Sequence, residues 1–515
     1  MVDKGGSTSE TSVVDVLTRA LAFARAMMLA AAAPTDLVRS LLSKDLRRGF
    51  PKYYRSRRRI GVANIAAATV LARNRSTRFA SALTVGVAAV WLKWRSRSSW
   101  GTAAGLPPGR VFTGSRAVHD PDHLSTAANR YGSVFKTNHF EEPAVCLMGM
   151  HDATEVFREH ADSLGVVPLA FNKYVPGGLV RWKSGREHDE YRRIFQHLFG
   201  QHLIRSNQYV LESSIDRMLR AMHSQGSSAG IRPNLYMPDM VFEAWAQLFF
   251  GIAPDDRRYG EVSQLFETID VSRLNKPDRM VDALLRLENL LEAEGITNDD
   301  CALAALRAHT GDRHLEAAMI RNLIFTLDMT RTDICGLLIW ALYHAATNRH
   351  VLDELAAEVQ RDENVFTTRS LANRMVSESL RLEQSEHLFR RAERDIDIDR
   401  FRVPAGWLVR VCTQESHRDP AVFPHPGRYD PDRFLDPSWN AAAYAPFGID
   451  GHSCIGEALT RRFTSTLLIR LARRYDVEVT NDGPRQMGEF QHWTPSDDFR
   501  IRLVSRQDLT IVKAI

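Results

Sequence analysis

Along residues 119–515 apolar positions recur mostly at helical spacing, broken in a few places by short runs with strand character. Residues 184–199 place Tyr191, Ile194, Phe195 and Leu198 on one face, which predicts an amphipathic helix. Residues 201–318 read as mostly helical with loops near Gly226 and Pro254, residues 323–344 as a long apolar helix, and residues 370–382 as a further helix. Strand signals are fewer. Residues 119–156 predict a helix followed by a small sheet that includes 144–148, and residues 403–412 predict a hairpin returning to that sheet. The expected fold class is mostly α with a small β region.

The N-terminal fifth follows another pattern. Residues 14–33 are rich in Ala, Leu and Met, interrupted by Arg19 and Arg25, and predict an amphipathic helix that Pro34 ends. A basic stretch at 52–59 precedes moderately apolar residues 60–72 and a second run at 79–92, flanked by Arg75, Arg78, Lys93 and Arg95 with Trp91 and Trp94 at one end. Fourteen helical residues reach about 21 Å, short of a hydrocarbon core of roughly 30 Å. Snorkelling of Arg78 and Lys93 would extend the run or let it lie among headgroups. Leu106-Pro107-Pro108-Gly109 stiffens the chain and ends any helix, so the expected division is an extension at 1–105 and a second domain at 106–515.

Charge sharpens that division. The net charge is +5, yet residues 1–100 hold 18 Lys/Arg against 5 Asp/Glu, which leaves the rest of the chain net acidic. Basic residues that alternate with apolar runs suit a membrane surface better than nucleic acid. The expected setting is intracellular, with association through residues 60–95 and no nucleic-acid partner. The five cysteines are widely spaced, without a disulfide framework or a CxxC zinc pattern. His417 has no second ligand at zinc spacing.

One cysteine stands apart. In Phe447-Gly448-Ile449-Asp450-Gly451-His452-Ser453-Cys454-Ile455-Gly456 a glycine-rich loop delivers Cys454 to the start of a helix. Glycines let the backbone fold around the sulfur, and the helix N-terminus favours negative charge, which predicts a lowered thiol pKa and an ionised, iron-binding Cys454.

These ten residues resemble the haem-binding signature of the cytochrome P450 family, with Phe447, Gly448, a basic residue at His452, Cys454 and Gly456 at the family's offsets. Two positions depart from it. Asp450 stands where glycine is usual, and His452 where an arginine usually pairs with a haem propionate. The resemblance runs from about residue 106 to the C-terminus. It implies the cytochrome P450 fold and one haem b, with Cys454 as axial iron ligand and Phe447 and Gly448 in the surrounding loop. Gly185, His188 and Arg192 match a stretch that touches the propionates, and Arg390, five residues before Asp395, matches another propionate-binding arginine. Glu378, Arg381 and Arg433 match the family's core ion trio, a structural set.

The long helix departs further. The family usually carries Ala/Gly-Gly-x-Asp/Glu-Thr there, a local opening followed by an acid–alcohol pair that relays protons during oxygen activation. Ungapped alignment places Met329-Thr330-Arg331-Thr332-Asp333 on it, so the glycine is absent and Thr332 precedes Asp333. Consecutive helical residues point about 100° apart, so the reversal moves the hydroxyl. Thr332 and Asp333 are the catalytic candidates, with Asp328 or Thr330 as stand-ins. The polar stretch at 383–389 replaces an apolar turn that borders substrate in the family, and either contacts a polar or cationic substrate or faces water. Arg461, Arg462, Arg470, Arg473 and Arg474 either dock an acidic electron donor or form a solvated helix face.

The resemblance implies a monooxygenase that uses two electrons and O2 to put one oxygen atom into a largely apolar organic substrate. The electron donor would be of the ferredoxin or NADPH–P450 reductase type. A peroxygenase, isomerase or dehydratase on the same fold, needing no redox partner, is the first alternative. A non-catalytic haem or ligand-binding protein is the second.

Overall fold

The computed structural model describes residues 105–111, 120–139, 142–168, 170–226, 229–269, 277–293, 300–310, 316–361, 366–383, 386–436, 441–488 and 493–506. The basic extension and the membrane-associating segment expected at 60–95 lie outside these residues. Among the described residues no helix is long and apolar enough to cross a membrane. Residues 108–398 and 403–515 form one compact unit; of the other, 1–107 with 399–402, only 105–107 and 399–402 are described.

Five short strands make the main sheet: β1 (Val134–His139), β2 (Glu142–Leu147), β3 (Leu164–Gly165), β4 (Phe389–Ala392) and β5 (Leu408–Val411), in the order β1-β2-β5-β4-β3. β1 and β2 run antiparallel with Phe135 opposite Cys146, whereas β2 and β5 run parallel with Ala144 opposite Leu408. The expected hairpin at 403–412 supplies only its second strand to this sheet. β5 takes β4 as its antiparallel neighbour, with Phe389 opposite Arg410, because Pro404 to Gly406 forms a turn whose Gly406 amide donates to the Ala392 carbonyl (2.7 Å).

The remaining mass is helical, and six helices matter for the site: α1 (Gly185–Leu198), α2 (Gln208–Ser224), α3 (Met237–Phe250), α4 (Ala317–Thr347), α5 (Leu371–Leu382) and α6 (Glu457–Arg474). α3 is apolar nearly all round and buries Met240, Val241, Trp245 and Phe249, as a helix at the centre of a core must. It stops at Gly251, whose φ of +70° places it in the left-handed region while its amide donates to the Gln247 carbonyl. α4, with 31 residues, is about 46 Å long and continuous past the position where the expected glycine is missing. The Trp245 ring lies 5.0 Å from that of Phe463 on α6, and its indole N–H donates to Thr330 Oγ1 (3.0 Å) on α4, so three helices lock together at one tryptophan.

α5 carries the ion trio expected from the sequence. Arg381 presents its fork to Glu378 through two 2.8 Å bonds, and Arg433 reaches Glu378 Oε1 at 3.0 Å. The spare donors of Arg381 go to the carbonyls of His417 (2.8 Å) and Arg428 (3.2 Å). Arg381 thereby fixes the segment that leads into the cysteine loop, and the trio is structural rather than chemical.

His417, considered above as a metal ligand, is fully buried, and its Nε2 accepts the Ala445 amide (3.1 Å). No cluster of metal-binding side chains occurs among the described residues. Burial, with help from the Arg381 charge, pushes the His417 imidazole down to about 3 from 6.5. A base whose folded pKa is depressed contributes stability that is complete above the unfolded value and lost as pH falls through the folded one. From this residue we expect a loss of about 1.4 kcal/mol for each pH unit below 6.5. His417→Gln, which keeps an acceptor, should flatten the decline; equal slopes for the two proteins in denaturant titrations at pH 7, 6 and 5 would contradict this.

Candidate functional site

The cysteine loop is built as a close wrap. Gly448 has a φ of +100°, and a Cβ there would stand 3.2 Å from the Ser453 Cα, so both conformation and space call for glycine. The Cys454 amide donates to the Phe447 carbonyl (2.7 Å) and the Ser453 amide to the Asp450 carbonyl (3.0 Å), which closes the loop on itself. The Phe447 ring lies 5.1 Å from the Arg461 guanidinium, and Arg461 in turn donates to Ser377 Oγ on α5 (2.9 Å). These contacts hold the sulfur at the foot of α6.

Cys454 is accessible, yet burial is the strongest influence on its thiol. Burial pushes the thiol up to about 11; the Gly456 amide and Arg181 pull it down, while Glu386 and Asp333 add to the rise. The lowered pKa expected from the helix N-terminus is therefore corrected, because desolvation outweighs one amide and one distant cation.

The four side chains expected near the propionates all converge on this loop. Arg192 on α1 donates to the Ser453 carbonyl (2.7 Å) and to Ser453 Oγ (3.0 Å). His452 donates from Nε2 to the Lys183 carbonyl (2.9 Å), and burial lowers its pKa, so it brings a neutral donor rather than the charge of an arginine. The His188 ring stacks on that of His452 with centroids 4.0 Å apart, and His188 Nε2 is buried without a hydrogen-bond partner. Arg390 on β4 donates from Nη1 to the Phe389 carbonyl (2.9 Å) and from Nη2 to Asp450 Oδ2 (2.6 Å). Lys183, which donates to the Gly177 carbonyl (2.7 Å), ties this rim to the loop before α1.

The remaining candidates lie at the middle of α4. Thr332 and Asp333 are exposed although the helix is buried from Asn322 to Asp328 and again from Leu338 to Leu342. The stand-ins point elsewhere. Thr330 Oγ1 accepts from Trp245 and donates to the Thr326 carbonyl (2.7 Å), and Asp328 is buried beside Arg331 (3.6 Å). Arg181, in the turn Val180–Trp182, pairs with Glu386. Burial lowers the Arg181 guanidinium, but the charges of Glu386, Asp333 and Cys454 outweigh it and the net shift is upward.

Reading the sequence singled out neither Arg181 nor the Asp450–Arg390 and His188–His452 contacts. Asp450 was legible only as a departure from glycine, and Glu386 as part of a polar stretch. No periodicity joins Arg181 to residue 386, since 205 positions separate them.

A helical protein with a wrapped cysteine, a basic rim beside it and a helix crossing opposite fits a flat, anionic macrocycle bound through sulfur. The buried, partnerless His188 Nε2 and the converging arginines suit such a group better than a simple metal ion. Comparisons agree. The cytochrome P450 family model matches residues 330–500. Abscisic acid 8'-hydroxylase 3 of Oryza sativa subsp. indica is 23% identical over 417 residues, 73% of this chain and 82% of that protein. Cytochrome P450 26C1 of Mus musculus is 23% identical over 467 residues, covering 79% and 90%. The structure of the retinoic acid-bound cyanobacterial CYP120A1 superposes with a TM-score of 0.67 at 20% identity over 78% of this chain and all of that one. Together the family model, the relatives and the shared fold support a cytochrome P450. Haem is the cofactor that family implies, and its monooxygenases act on small molecules with redox partners.

Proposed function

We propose that the domain at 106–515 is a haem-thiolate monooxygenase that binds haem b through Cys454 and oxidises a small, largely apolar organic molecule. The observation that carries this reading is the accessible Cys454 sulfur, held in a tight loop and ringed by Arg192, Arg390, His188 and His452. Bound there, haem supplies the redox chemistry, using O2 and two electrons from a donor to put one oxygen atom into the substrate.

The chain's own residues do the rest. Cys454 would hold the iron as a thiolate, since a coordinating thiol is deprotonated outright. His188 has a free Nε2 for a propionate, and Arg192 and Arg390 supply charge. Gly448 and Phe447 hold the loop closed on itself and against Arg461 of α6. Asp333, an exposed acid on α4, holds and passes protons at its carboxylate, with Thr332 beside it as the hydroxyl. Arg181 and Glu386 form the polar end of the substrate space. Abscisic acid and retinoic acid stand in the names of two relatives, and a carboxylate on this chain's substrate would meet Arg181. Such a carboxylate would take the place of Glu386, whose side chain is 42% exposed, on the Arg181 guanidinium. The extension at 1–105 is proposed as a separate, membrane-associating segment.

Turnover of a panel of apolar acids tests this reading. With NAD(P)H and a reductase, Asp333→Asn is expected to lose activity about 100-fold, while Arg181→Met weakens binding of the acid more than of its methyl ester. Turnover supported by peroxide alone, with none from the reductase, would instead favour the peroxygenase alternative.

A further inference from the structure

We infer that Asp450 acts as a resident third carboxylate of the propionate rim, competing for Arg390 so that haem is held less tightly and its iron is harder to reduce. The inference rests on the haem-thiolate reading above. A haem brings two propionates, and the rim offers two guanidinium groups to meet them, Arg192 and Arg390. The other two ring members add no fixed charge: His452 donates its Nε2–H to a carbonyl, and His188 lies stacked on it at 4.0 Å.

Arg192 hydrogen-bonds only to the uncharged Ser453 carbonyl and hydroxyl, and Asp450 reaches it only through space, so no carboxylate occupies its fork. Arg390 does not. Its Nη2 bonds Asp450 Oδ2 at 2.6 Å, and both side chains are largely buried, at 11% and 19% exposure. Asp450 cannot easily turn away, because its Oδ1 accepts the His452 amide at 2.9 Å and its own carbonyl accepts the Ser453 amide at 3.0 Å. The carboxylate is thus bolted into the loop that presents the sulfur. A second carboxylate on Arg390 must share the fork with it and sit against a like charge. The same negative charge opposes the extra electron of the ferrous state, since a partly buried charge is only weakly screened.

Asp450→Asn tests this in the haem-loaded full chain. The amide retains an oxygen for the His452 amide while removing the charge, so the loop is kept and the competition ended. We expect haem transfer to apomyoglobin to slow on the order of tenfold and the reduction potential, read by dye-linked titration, to move in the positive direction. In an Arg390→Gln background the same substitution should change haem loss clearly less, because the contested partner is gone and only the through-space effect on Arg192 remains. A purely structural Asp450 predicts the opposite pattern: haem loss unchanged or faster, lower thermal stability and no positive shift of potential. That result, with a thiolate-type spectrum intact in both proteins, would overturn the inference alone. A wild type with no such spectrum would overturn the haem reading itself.

Discussion

Arg381→Ala is expected to destabilise the folded protein by about 3–5 kcal/mol, the cost of breaking a buried ion pair from one side. Neither Arg381 nor Glu378 is exposed at all, and the substitution leaves the Glu378 carboxylate buried with only Arg433 and the Asp430 amide to compensate it. It also frees the carbonyl of His417 and leaves that of Arg428 with only the longer Arg433 bond, two of the points from which the approach to the cysteine loop hangs. Arg381→Lys should recover little, because an ammonium cannot make the paired bonds to both carboxylate oxygens and still reach two carbonyls. Urea titration of the three proteins measures this. A loss under about 1 kcal/mol, the range of exposed pairs, would mean that the trio does not hold the loop.

Cys454→Ser is expected to abolish reductase-supported turnover while leaving the fold in place. The side chain sits on the accessible side of its loop, and the contacts that close the loop come from the Cys454 amide and from Ser453, Phe447 and Gly448, none of which the substitution touches. Thermal stability of the haem-free variant should therefore match that of the haem-free wild type. Retained turnover would place the chemistry on another group. Loss of folding would mean that the sulfur is structural.

Much of this was legible in the sequence because the decisive residues are local. Gly448, Cys454 and Gly456 lie within nine positions, and Glu378 and Arg381 share a helix face at a spacing of three. Helices α1, α4 and α5 declared themselves by apolar spacing, and Ser370 caps α5 where the helix was expected to begin. What the sequence withheld was either pairing or orientation. The neighbour of β5 depended on a turn at Gly406, and the partner of Arg181 lay 205 residues away. The thiol pKa was misjudged because a helix terminus is visible in sequence while desolvation is a property of the packed site. On α4 the order Thr332-Asp333 left several candidates, and only side-chain direction set Thr330 toward Trp245, while Thr332 and Asp333 stay exposed.

The most direct measurement is the absorption spectrum of the reduced, carbon monoxide-bound full chain beside that of Cys454→Ser. A thiolate-type band in the wild type and its absence from the variant is the predicted outcome. A wild type that takes up no haem, or a variant that keeps the band, would contradict the assignment of Cys454 as the iron ligand.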